Sequence, residues 1–178
     1  MSTHRILVYA AWLAFSFASN LASAEGPNLG IPIDPADIGE WDISVMPDGT
    51  GLPPGSGTPA QGARIYAEKC VACHDENGKH RFGLSPLWGG GKITDISAGM
   101  KTIENFLPYA TTVFDLIRRG MPWTQPRSLT SDEVYALTAF ILAKNKLIGE
   151  TDIMNAETLP KVQMPNRNGF IIRFPDKI

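Results

Sequence analysis

Cysteine and histidine are both scarce: two and three respectively in 178 residues. Cys70 and Cys73 are so close that a structural disulfide between them would be strained and easily reduced. Once the N-terminus is processed, Cys70, Cys73, His74 and His80 are the only cysteines and histidines left for zinc. They crowd into one turn and loop, without the gap of about a dozen residues that separates ligand pairs in a zinc finger. An excess of basic charge is also missing. There are 16 Lys and Arg against 18 Asp and Glu, which argues against a nucleic-acid partner. Long apolar runs are absent beyond the N-terminus, so no later segment can cross a bilayer, which takes ~20 apolar residues.

What the N-terminus does hold is a leader. Arg5 precedes an apolar run over residues 6–18 that only Ser16 interrupts, and Ala22-Ser23-Ala24 is an A-x-A cleavage site. These three parts make a secretory signal peptide over residues 1–24, with an uncleaved anchor as the alternative. The expected location is therefore the periplasm, with no membrane span after cleavage.

The chemistry concentrates in Cys70-Val71-Ala72-Cys73-His74. Two thiols three positions apart, followed at once by an imidazole, form the C-x-x-C-H pattern of c-type haem attachment. Each thiol can add to a haem vinyl group, and the imidazole that follows can bind the iron as proximal ligand. A thioredoxin-like dithiol would need a βαβ setting, whereas these flanks read as helix and then Gly-rich loop. The motif therefore predicts one covalently bound haem c, on Cys70 and Cys73, with His74 as iron ligand. Lys79, His80 and Arg81 just beyond form either a docking patch or a solvated loop.

Around this motif, residues 25–57 are rich in Pro and Gly, yet carry Ile38, Trp41, Ile43 and Val45. That combination predicts an ordered strap laid against the core or a partner, with a flexible linker as the alternative. Pro59 opens a helix whose Ala63, Tyr66, Ala67 and Cys70 share one face. Gly62, one turn before Tyr66, leaves room for another helix to approach closely. Leu84, Leu87 and Trp88 are expected to wall the proximal side of the haem. The Pro86 region is a candidate carbonyl donor for the second nitrogen of His74, or else a simple turn. Thr111 or Thr112 is expected to cap a helix that stops at Gly120. Thr130 and Glu133 have capping-box spacing for a helix to about Ala143, with Val134, Leu137 and Ile141 on its apolar side. From Lys144 onward the helical period is lost and an extended tail follows.

A low-spin haem iron needs a sixth ligand. His80 lies too close to His74 to reach the opposite face, which leaves Met46, Met100, Met121, Met154 and Met164, with Lys or water as other options. Met121 is favoured because it sits between two helices, and Pro122 biases it away from helical geometry. Met100 is the runner-up. Core filling is the ordinary use of any methionine.

Helix, C-x-x-C-H, Gly/Pro loop, helix, Met loop and amphipathic helix together resemble a class I cytochrome c over residues 58–148. Trp41-Asp42-Ile43, Pro47-Asp48-Gly49-Thr50-Gly51-Leu52-Pro53-Pro54-Gly55-Ser56-Gly57, Tyr109-Ala110-Thr111-Thr112-Val113-Phe114-Asp115-Leu116-Ile117-Arg118-Arg119 and Leu159-Pro160-Lys161-Val162-Gln163-Met164-Pro165-Asn166-Arg167 are similar to the cytochrome subunit of the Sox sulfur dehydrogenase (SoxD type). Many members of that group carry two haem domains; this chain has one C-x-x-C-H. The resemblance implies an all-α class I cytochrome c fold with an N-terminal extension over residues 25–57 and a C-terminal tail over 149–178. It also implies single-electron transfer from a molybdenum-cofactor dehydrogenase subunit, oxidising sulfite or another reduced sulfur compound, to a downstream cytochrome or terminal oxidase. The alternatives are a catalytic haem, of peroxidase or thiosulfate-oxidising type, an acceptor for a different periplasmic dehydrogenase, and a non-redox assembly subunit.

Overall fold

The computed structural model describes residues 29–171 except 84, 92 and 94–98. The expected leader and Leu84 lie outside the described residues. The chain divides into two units, Met1–Asp42 and Ile43–Ile178. Among the described residues of the first, a short helix, α1 (Pro35–Trp41), starts where the Asp34 carboxylate accepts the Ala36 N–H at 2.9 Å and Pro35 takes the first helical position.

The second unit is helical, as expected. Its elements in order are β1 (Ser56–Gly57), α2 (Pro59–Lys69), α3 (Val71–His74), α4 (Ile103–Phe106), α5 (Ala110–Gly120), α6 (Ser131–Lys144), β2 (Met154–Asn155) and a 3₁₀ turn, Leu159–Lys161. Both α2 and α6 open with reciprocal capping boxes, Thr58 with Gln61 and Thr130 with Glu133. For α5 the expected cap is corrected. The helix begins two residues earlier, after Tyr109, with no side-chain cap, and Thr111 is buried inside it. Burial of Ala110, Val113, Phe114 and Ile117 holds this end in place of a capping hydroxyl.

Helix α6 is the centre of the unit. Residues 134–139 are consecutively buried, more than the single apolar side its sequence suggests. Helix α2 crosses it where a Cβ on Gly62 would run into the Ala136 carbonyl, as the small residue foretold. On another side, Phe114 of α5 stacks on Tyr135 with ring centroids 4.5 Å apart. The remaining cover comes from the strap and tail. Gly57 lies on the Ala136 backbone, and the Tyr135 hydroxyl donates to the Pro53 carbonyl at 2.9 Å. Strands β1 and β2 pair antiparallel, with Ser56 opposite Asn155 and Gly57 opposite Met154. Beyond them, Met154, Leu159, Val162 and Met164 join the core. The buried Thr138 hydroxyl donates to the Val134 carbonyl at 2.7 Å, which offsets its desolvation. None of the helices among the described residues is long and apolar enough to cross a membrane.

Candidate metal centre at the C-x-x-C-H turn

Helix α2 ends at Lys69, and Cys70 takes φ −119°, ψ −33°, so the axis breaks before the single turn α3. The Cys70 carbonyl accepts from both the Cys73 and the His74 N–H, at 3.1 and 2.9 Å. This closed turn carries Cys70, Cys73 and His74 together. Both thiols are free, Cys70 half-buried and Cys73 exposed. Burial pushes the Cys70 thiol up to about 11, against a smaller opposing pull from Lys69. A reactive redox dithiol needs the reverse, a thiol whose pKa is lowered.

His74 is half-buried, and its Nδ1 is enclosed without any hydrogen-bond partner. The carbonyl expected from the Pro86 region does not reach it. That loop is closed elsewhere, through Leu87 N–H to the Gly78 carbonyl at 2.9 Å and the Asn145 amide to the Leu87 carbonyl at 3.2 Å. The ring edge of His80 faces His74 instead, with centroids 5.0 Å apart. Burial lowers the His74 pKa, the His80 ring lowers it further, and Asp75 opposes them. The imidazole is thereby kept neutral, with a lone pair to donate.

Among the described residues no group of three or more His, Cys, Asp or Glu is placed to hold a metal ion. Haem iron takes most of its ligands from the porphyrin, so this turn would need to supply only the imidazole and the two thiols. Two free thiols one turn apart, followed by a half-buried imidazole whose Nδ1 has no partner, fit the groups that covalent haem attachment uses.

The walls are aromatic. Tyr66 is buried and its hydroxyl donates to the carbonyls of Asp75 at 2.9 Å and His74 at 3.3 Å, tying the far end of α3 to α2. Burial holds this phenol well above its ordinary range. Trp88 and Phe140 pack around it, at 5.6 and 5.1 Å between centroids. Gly78, at φ +71°, lies against the Trp88 indole so closely that a Cβ would sit 2.7 Å from it. Leu87 and Trp88 pack, partly buried, against the core. Trp123 is exposed, and Arg118 donates to the Ile43 carbonyl at 3.4 Å. In the loop after His74, Lys79 and Arg81 are exposed.

The five methionines separate cleanly. Met154 and Met164 are buried core residues, and Met46 and Met100 are exposed. Met121 is half-buried at the end of α5, with the extended backbone (φ −119°, ψ 144°) that a following proline favours. It packs against the same apolar cluster as Cys70 and Val71.

The sequence reading missed a polar clamp. Asn105 donates to the carbonyls of Gly91 and Met100 at 2.9 and 2.8 Å, and the Thr102 hydroxyl donates to the Gly89 carbonyl at 2.7 Å. Asn145 accepts from the Gly89 N–H at 3.2 Å and donates to Leu87. All three side chains are buried, and together they fix the loop that carries Trp88. The one sequence signal was the capping-box spacing of Thr102 and Asn105, which α4 uses.

The chain is similar to known proteins in two comparisons. The family model described as cytochrome C oxidase, cbb3-type, subunit III, matches residues 57–141. The crystal structure of the sulfane dehydrogenase SoxCD from Paracoccus pantotrophus contains a similar chain. It is 37% identical, with a TM-score of 0.73, over 85% of this chain and 73% of that one. No curated protein matches.

Proposed function

The chain belongs to the c-type cytochromes, related to the cytochrome subunit of sulfane dehydrogenase, with electron transfer as the family's work; from that premise we propose that it is an exported monohaem carrier serving a molybdenum-cofactor sulfur dehydrogenase. Cys70 and Cys73 would hold the haem covalently, and His74 and Met121 would be its iron ligands. When bound, the haem supplies a one-electron couple between ferric and ferrous iron. The protein's share is to hold that couple still. The packed rings of Tyr66, Trp88 and Phe140 would shield the ligand turn from water. Tyr66 fixes the carbonyl end of the ligand turn, and the Asn105–Thr102–Asn145 clamp fixes the loop beside it. Rigid surroundings of this kind keep the geometry alike in both oxidation states.

The observation that carries the reading is the buried, unpartnered Nδ1 of His74 beside two free thiols. The partner assignment is supported by the similarity to a chain of SoxCD. Protein exported by a host with haem-attachment machinery should show the mass of one bound porphyrin and a Soret band. Mixed with a molybdenum-cofactor sulfur dehydrogenase subunit and its sulfur substrate in a stopped-flow instrument, it should be reduced within catalytic turnover times. An exported protein without porphyrin mass, or a haem that stays oxidised, would overturn the reading.

A further inference from the structure

Residues 29–41 expose five large apolar side chains: Leu29 (87%), Ile31 (88%), Ile33 (66%), Ile38 (45%) and Trp41 (81%). Ile38 and Trp41 are three apart on α1 and share one face. Apolar surface concentrated this way marks an interaction site. The segment is also acidic in one sense only. Asp34, Asp37, Glu40 and Asp42 lie within it or at its end, while residues 25–63 contain no Lys, Arg or His. That charge disfavours an anionic lipid surface, which recruits apolar helices flanked by basic residues. It suits a protein groove with an apolar floor and a basic rim. The Asp34 cap and Pro35 also pre-set the start of α1, which lowers the cost of ordering it on a partner.

We propose that residues 29–41 are a docking arm that seats Ile33, Ile38 and Trp41 in a basic-rimmed apolar groove of the partner dehydrogenase subunit. This rests on the partner assignment of the preceding subsection. The arm would give lasting attachment without using any of the residues proposed to hold the haem.

The test uses the haem-loaded full chain and the purified molybdenum-cofactor dehydrogenase subunit. Ile33→Ser/Ile38→Ser/Trp41→Ala should weaken binding about tenfold or more, mainly through faster dissociation. Its Soret spectrum, thermal melt and haem reduction at saturating donor should match wild type. Asp37→Lys/Glu40→Lys should weaken binding too, and should flatten its dependence on salt. If the triple variant binds and is reduced like wild type, the arm is overturned while the partner assignment stands. If wild type itself neither binds nor is reduced, both fall together. Arm-dependent self-association in sedimentation, or arm-dependent binding to phosphatidylglycerol vesicles, would also overturn the proposal, in favour of a second copy or a membrane.

Discussion

At the scale of the residue, the most exposed assignment is Met121. A thioether on iron raises the reduction potential relative to a second imidazole and gives a sulfur-to-iron charge-transfer band in the oxidised near-infrared spectrum. Met121→Ala should abolish that band and lower the potential in a redox titration, whereas Met100→Ala should leave both unchanged. The opposite outcome would move the ligand to the runner-up. A second residue-scale prediction concerns Lys69 and Glu133, which pair at 2.5 Å between α2 and α6. The Lys69 ammonium, then the Thr130 N–H, hold the Glu133 carboxyl below its ordinary value of 4.5. A depressed carboxyl contributes stability above its unfolded pKa and loses it as pH falls through the folded one. The pair is solvent-screened, so its worth is about 0.5 kcal/mol. Glu133→Gln keeps the capping box, and its melting temperature should fall slightly below wild type at pH 7. The gap should close in acid once the wild-type carboxylate is protonated. A gap that persists there would mean that the pairing is not electrostatic.

At the scale of the element, the α2–α6 crossing is the tightest point in the unit. Gly62→Ala places a methyl against the Ala136 carbonyl and against Phe140. Backbone cannot yield there as a flexible side chain would, so chemical denaturation should show a loss of about 3 kcal/mol. Gly120, at the open end of α5, has no neighbour within 4 Å of an added Cβ. Gly120→Ala should change stability by less than about 1 kcal/mol. Equal effects at the two sites would contradict the packing. These elements show what was legible in advance. The proline that opens α2, the capping box of α6, the stop of α5 and the small residue at the crossing are local signals, set by side chains a few positions apart. The start of α5 was misplaced because no local cap defines it. The clamp of Asn105, Thr102 and Asn145 was missed because its partners lie up to 58 residues apart, and amides carry no periodic pattern.

At the scale of the molecule, the tail is structural. Met154, Leu159, Val162 and Met164 are buried, and β2 closes on the strap. Leu159→Ala should cost about 3 kcal/mol in a cooperative melt. Truncation after Gly149 should abolish both that transition and the haem spectrum. A truncated chain that keeps its spectrum would show that the tail serves a partner instead. The two extensions thus divide differently from their composition. Residues 45–57 and 154–164 supply side chains and backbone to the core, while Leu29, Ile31, Ile33, Ile38 and Trp41 of one extension and Ile153, Phe170 and Ile171 of the other are exposed.

The sequence by itself determined the attachment turn, the helices around it and the family. Thiol spacing, an adjacent imidazole and capping residues are short-range chemistry that needs no fold to be read. Only the tertiary structure decided which methionines fill the core, where the tail goes, and that His74 keeps a buried nitrogen without a partner. Those outcomes depend on which distant surfaces exclude water from one another, and burial is a property of the packed chain.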